Sequence, residues 1–265
     1  HGHSEGYSLV WRDHKFDSPL PFPATQILLF ADKQKSFIKY TVWALSIGAH
    51  IPGYAAAHLI DLGRVDDESE LEERLLQRDY PVAGVEQPMR ISAGFIDARH
   101  RGQEIYKLCL RAFHRFRTQI WPVRGEGVNV MLSRAKKRTD STDDEVSRAR
   151  AGRILRIVQD QCDLGILMVR YFKDHALQHE LEHKLGMAPG WRIFLPRNAP
   201  VEYAAEVTAE KCDSTADTFV HNYHRFGPND YRDCTKYLVL WMLEHLPALL
   251  HAHGITSTTP PPPPP

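Results

Sequence analysis

Short apolar runs closed by polar turns set the pattern of the N-terminal part of the chain. Gln-Ile-Leu-Leu-Phe-Ala-Asp (26–32) runs into the polar turn Lys33-Gln34-Lys35-Ser36. Phe-Ile-Lys-Tyr-Thr-Val-Trp-Ala-Leu (37–45) follows, rich in β-branched and aromatic side chains. Together they predict two strands joined as a hairpin. Ala-Ala-Ala-His-Leu-Ile-Asp (55–61) predicts a third strand. The acidic stretch Asp66 to Arg78 then carries Leu71, Leu75 and Leu76 at helical spacing, which predicts a solvated helix with one buried stripe. Arg-Ile-Ser-Ala-Gly-Phe-Ile-Asp (90–97) predicts a fourth strand. Gly102 precedes a helix from about Gln103 to Phe116, with Ile105, Leu108, Cys109 and Ala112 on one face.

The C-terminal half is less regular. Ile120 to Val123 fits a fifth strand, and 124–160 is the least orderly stretch. Leu164 to Tyr171 reads as a buried strand, Lys173 to Leu185 as a helix, Trp191 to Leu195 as a short strand and Pro200 to Cys212 as a helix. A last helix is expected from about Tyr231 to His251, before a tail that ends in six prolines, 260–265. The expected division is a lead-in at 1–24, a folded domain at 25–252 and a Pro-rich disordered tail at 253–265. Periodicity alone gives an α/β domain with a mixed sheet flanked by helices. The order is a three-strand meander, a helix, a strand, a helix, then further α/β units. With carboxylates at particular element ends, that order points to an RNase H-like fold.

Composition narrows the class only a little. The chain has 265 residues, 43% of them hydrophobic and 10% aromatic, enough for a sizeable core. Its 33 basic and 33 acidic residues cancel, so any surface suited to nucleic acid must come from local clustering. No apolar run reaches the ~18 residues of a membrane span, and no signal peptide is visible. The four cysteines are widely spaced without a Cys-x-x-Cys pair, as expected of a reducing, cytoplasmic setting.

Three aspartates carry the chemistry. Asp32 closes the first strand, Asp97 closes the fourth, and Asp233 sits near the start of the last helix. A strand-end carboxylate is costly to bury unless something pairs with it. Several brought to one spot repel each other unless a divalent cation neutralises them. Each acid also has a plainer reading: Asp32 and Asp97 as caps of the turns that follow, Asp233 as a helix N-terminal residue. Asp230, three residues earlier, could exchange places with Asp233 as cap or auxiliary ligand. Asp61 also ends a strand, but the strand order sets it away from the central pair, so a structural role is expected.

Basic residues near these acids suit a phosphate backbone. Arg99, His100 and Arg101 directly follow Asp97, Lys173 follows a strand, and Arg134, Lys136, Lys137 and Arg138 form a cluster. Each can equally be a solvated charge. His179, Glu180 and His183 match His-Glu-x-x-His, the zinc-protease helix signature. The charges of Glu182 and Lys184 in and beside it, and the need for a third ligand (Glu202, Glu206 or His175), favour a polar, partly exposed helix face. There is no phosphate-cradling Gly-x-x-x-x-Gly-Lys-Ser/Thr loop and no Gly-x-Ser-x-Gly elbow.

Phe-Ala-Asp-Lys-Gln (30–34), His-Leu-Ile-Asp-Leu-Gly (58–63) and Phe-Ile-Asp-Ala-Arg-His-Arg-Gly-Gln-Glu-Ile-Tyr (95–106) occur in order along the chain. Trp-Pro-Val-Arg-Gly (121–125), Phe-Lys-Asp-His-Ala-Leu (172–177), Glu-Tyr-Ala-Ala-Glu-Val-Thr-Ala-Glu (202–210) and Asn-Asp-Tyr-Arg-Asp-Cys-Thr-Lys-Tyr (229–237) follow. In that order and spacing they resemble the nuclease domain of lambda-like tailed-phage terminase large subunits, over roughly residues 24–245. The segment after Asp97 departs from the family by having Ala-Arg-His in place of small Ser or Gly residues, and 133–160 is long and divergent.

The resemblance implies a metal-dependent endonuclease that cuts concatemers of double-stranded viral DNA during packaging in the cytoplasm of an infected bacterium. Two Mg²⁺ or Mn²⁺ ions are then expected, one held by Asp32 and Asp97 and the other by Asp32 and Asp233. The small terminase subunit and the portal protein are the implied partners. In the family the nuclease follows an ATPase motor, which is missing from this sequence, so an isolated nuclease domain is implied. Competing expectations are a resolvase or transposase core, a zinc hydrolase built on His179, Glu180 and His183, and a non-catalytic portal- or DNA-docking domain.

Overall fold

The computed structural model of the chain describes residues 11–12, 23–81, 86–100, 102–126, 156–161, 163–172, 174–185, 190–213 and 222–255. Among them a nine-stranded mixed sheet is the frame on which everything else is hung. Its centre is the predicted meander: β2 (Gln26–Lys33), β3 (Ile38–Ile47) and β4 (Ala55–Val65), each antiparallel to the next. On the other side of β2 lies β5 (Ile91–Asp97), parallel to it, and then β6 (Gln119–Glu126), parallel to β5. The outer strands are β7 (Arg156–Gln161) and β8 (Leu167–Phe172) beyond β6. Beyond β4 lie β9 (Arg192–Pro196) and the two-residue β1 (Trp11–Arg12), the latter within the stretch read as a lead-in.

The sheet is covered on both faces, which explains why β2 reads as a continuous apolar run rather than an alternating one. Leu28 and Phe30 point to one face, Ile27, Leu29 and Ala31 to the other, and all are buried. On the second face pack α1 (Glu68–Leu71), which continues as a π-helical segment through Leu76, and α2 (Gly102–Phe116). The buried Glu72 carboxylate accepts from Arg111 at 2.8 Å and from Arg115, tying these helices together. On the first face pack α3 (Asp174–Leu185), α4 (Val201–Val207) and the long α5 (Asp230–Ala252). No helix among the described residues is long and apolar enough to cross a membrane.

Four expected elements differ. The third strand, expected to end at Asp61, runs on to Val65, so Asp61 lies inside it. The helix predicted over 200–212 stops at Val207, where the Thr208 hydroxyl donates back to the Ala204 carbonyl at 2.8 Å. The residues after it turn into β10 (Glu210–Asp213), paired antiparallel with β11 (Asn222–Arg225). The strand predicted from Leu164 starts at Leu167, because Leu164 and Gly165 take positive φ angles of 71° and 73° in a turn. β7 lies inside the stretch expected to be least orderly; as an edge strand it needs no continuous apolar run.

The register delivers the candidate acids. Parallel pairing sets Ala31 opposite Ile96, so the next residues, Asp32 and Asp97, end neighbouring strands at the same edge. Each lies two residues beyond an aromatic on the first face, Phe30 and Phe95 respectively, so both turn toward the side covered by α5. Gly94 permits this closeness: a Cβ at that position would collide with the Leu29 carbonyl oxygen of β2. Gly94→Ala is therefore expected to lower stability by about 3 kcal/mol, read as a fall in the denaturation midpoint. The same shift separates the two strands and so moves Asp32 and Asp97 apart.

Candidate active site

Asp32 and Asp97 are almost fully inaccessible, at 1% and 2% exposure. The third acid arrives on the first turn of α5, where Asp230 and Asp233 share one face. Asp32, Asp97 and Asp233 line a single cleft of about 340 Å³, together with Arg99, His100 and Lys236. Gln34 joins two of the acidic elements, since its side-chain amide donates to Asp32 Oδ2 at 2.6 Å and to Asp230 Oδ1 at 3.1 Å. The turn-cap role expected of Asp97 exists alongside: its Oδ1 accepts the Arg99 backbone N–H at 2.9 Å and its Oδ2 pairs with Arg99 Nε at 3.1 Å. Lys236, one turn along from Asp233, pairs with Asp233 Oδ1 at 2.6 Å.

The electrostatics are unfavourable to the acid cluster by itself. Burial, then repulsion from Asp233, Asp97 and Asp230, holds the Asp32 pKa well above the usual carboxylate range, against the pull of the Gln34 hydrogen bond. Asp230 is also raised, first by burial and then by Glu206, against the pull of Lys39. Carboxylate oxygens brought together from separate elements fit hard divalent cations such as Mg²⁺ or Mn²⁺. Asp230 is bound by Gln34 beside the cleft rather than lining it, which suits an auxiliary place.

The family model for the terminase large subunit gpA endonuclease domain matches residues 9–247. The chain belongs to that family. It is therefore an endonuclease, a phosphodiester hydrolase whose family role is cutting phage DNA during packaging, and the docking-only reading falls away. No curated protein and no solved structure matches the chain. The resemblance read from motifs over residues 24–245 is borne out and extends toward the N-terminus.

Of the expected DNA contacts in this endonuclease domain, Arg99 and His100 line the cleft. Arg101, Lys173, Arg134, Lys136, Lys137 and Arg138 lie outside the described residues. Asp61 pairs with Arg78 at 2.7 Å, as a structural acid would. His179, Glu180 and His183 are on α3 and do not line the cleft, while Glu202 and Glu206, considered as partners for them, are held by Lys39 of β3.

Sequence reasoning missed the apparatus that sets the first turn of α5. The guanidinium of Arg232 is wholly buried, at 0% exposure. It donates to Gln178 Oε1 at 2.9 Å and to the Val207 carbonyl at 2.7 Å, and pairs with Glu182 at 3.2 Å and Glu210 at 3.3 Å. Asn229 donates to the same Glu210. Glu206 accepts the Tyr231 backbone N–H at 3.0 Å while holding Lys39. Three-residue spacing from Asp233 makes Lys236 findable in the sequence; nothing local marks Arg232, whose partners lie on α3, α4 and β10.

Two outcomes are expected of the endonuclease domain in metal-free buffer. The folded-state pKa of Asp32 exceeds its unfolded value, so its ionised form costs stability above the folded pKa, and that cost fades as pH falls through it. Thermal unfolding in EDTA at about pH 8 should place Asp32→Asn a few degrees above the parent, with the gap closing on acidification. Arg232→Met leaves Glu182 and Glu210 without their cation, and urea unfolding should register a loss of about 3–5 kcal/mol.

Proposed function

We propose that the chain is a two-cation endonuclease for double-stranded DNA, cutting concatemers during genome packaging on an RNase H-like core. The observation that carries this is the convergence of Asp32, Asp97 and Asp233, from β2, β5 and α5, on one cleft. The fold assignment is supported by the central strand order β4-β3-β2-β5-β6, in which β3 alone runs antiparallel to the rest.

Asp32 and Asp97 would hold one Mg²⁺ or Mn²⁺, and Asp32 and Asp233 the other, with Asp230 as auxiliary. The cations supply charge neutralisation and Lewis-acid polarisation to phosphodiester hydrolysis. The chain's own residues position the reactants. Arg99, partly exposed beside Asp97, and His100 on the same turn face the incoming phosphate from one side. Arg225 reaches the cleft from β11. Lys236 fixes the rotamer of Asp233, and Gln34 fixes that of Asp32. In the net reaction the P–O3′ bond breaks, water supplies the new oxygen on phosphorus and a proton ends on the 3′ oxygen.

These contacts address phosphates rather than bases, so they position a duplex without reading it. Sequence choice then falls to a partner, the small terminase subunit, and delivery of the cut end to the portal protein. A panel of duplex, junction and RNA–DNA hybrid substrates separates this reading from a resolvase or transposase core, and duplex is the expected preference.

Asp97→Asn and Asp233→Asn should each lower duplex cleavage in Mn²⁺ by about 10³-fold. Both should reduce calorimetric Mn²⁺ uptake while keeping the parent's circular dichroism. Full cleavage in either variant sinks the assignment.

A further inference from the structure

We propose that His179, Glu180 and His183 form a second cation site, selective for zinc and its borderline neighbours rather than for Mg²⁺ or Mn²⁺. The histidines stand one turn apart on α3, with ring centroids 4.0 Å apart and planes inclined at 61°. One ligand atom from each of the three residues lies within 4.8 Å of the others. Small side-chain rotations bring such atoms around one ion. Imidazole nitrogens suit Zn²⁺, Co²⁺, Ni²⁺ and Cu²⁺, whereas Asp32, Asp97 and Asp233 offer carboxylate oxygens. The Glu180 carboxylate completes three protein ligands and supplies negative charge, leaving a fourth position to water.

The place of this site on α3 defines what it does. Leu177, Leu181 and Leu185 bury one face of the helix against the core. Gln178 and Glu182 reach Arg232, the residue before Asp233. A cation bound across 179–183 cross-links the turn that contains Glu182 and follows Gln178. It therefore staples the support of the cleft without entering it, since none of the three ligands lines the cleft. This role is structural and independent of the phosphodiester chemistry. Lys184 is directed over the Trp191 ring, 5.1 Å from its centroid, and is no part of the ligand set.

The test uses the full chain stripped of metal. Zn²⁺ is titrated calorimetrically and Co²⁺ by its visible d–d absorption, in the parent, in His179→Gln/His183→Gln and in Asp32→Asn. The parent and Asp32→Asn should take up zinc at this site, develop nitrogen-ligand Co²⁺ bands and gain about 5 °C in thermal midpoint at saturating zinc. The double histidine variant should take up one equivalent of zinc fewer than the parent, lose the Co²⁺ bands and the midpoint gain that this site contributes, keep its metal-free midpoint and still take up Mn²⁺. Equal zinc uptake and equal Co²⁺ spectra in parent and double variant would overturn the site. So would a parent that binds no zinc up to about 100 μM, about the weakest affinity that would still count as a built site.

Discussion

The structure depends on holding like charges together where water is scarce. Asp32, Asp97 and Asp233 meet at one sheet edge, and burial and mutual repulsion act on Asp32 in the same direction. A cluster of this kind would relax if its members could move. Most of the polar architecture nearby prevents that. Gln34 ties Asp32 to Asp230, Arg99 holds Asp97, and Lys236 holds Asp233. Arg99 and Lys236 each offset one carboxylate, and the Asp32 carboxyl still feels the repulsion of Asp233, Asp97 and Asp230.

The helix that brings Asp233 is itself held by a buried ionic network. Arg232 links α3, α4 and β10, while Glu206 links Lys39 of β3 to the backbone at the start of α5. Buried ion pairs of this sort contribute little net stability, because desolvation offsets attraction. Their geometry is strict, however, and an apolar substitute would leave the helix free to slide or rotate along its long axis. One residue of rotation about α5 would turn Asp233 away from the cleft by ~100°, so a directional lock serves here where apolar packing would not.

How far the sequence discloses this follows the range of the interactions. Apolar runs ending in Asp32 and Asp97 are local signals, and the meander that follows Asp32 places those strands in order. The three acids were thus legible as a group, and Asp230 as a neighbour of Asp233. Arg232, Gln178 and Glu210 were not, because their meaning lies in contacts between elements far apart in the chain. Lys39 and Glu206 were hidden likewise: a lysine in a β-rich run and a glutamate in a short helix look solvated until the fold brings them together. The β10–β11 hairpin was masked by helical periodicity that ends at Val207. His-Glu-x-x-His was the sharpest literal motif, yet the fold sets it apart from the cleft, a reminder that spacing identifies a helix face and not its surroundings.

The distribution of the acids over three elements is what makes their crowding durable. Carboxylates on a single loop would separate by bending the loop, at small cost. Here Asp32 and Asp97 are fixed by parallel pairing of β2 and β5, in which Gly94 allows the backbones to approach. Separating them means breaking ladder hydrogen bonds in the most deeply covered part of the sheet. Asp233 is fixed by a helix packed along its length on that same sheet face. The pair Asp32 and Asp97 and the third acid Asp233 resist displacement through different sets of contacts, so repulsion among them is not relieved by one soft motion. The crowding therefore stays at the cleft, where protonation of Asp32, the pairs with Arg99 and Lys236, or bound cations offset it.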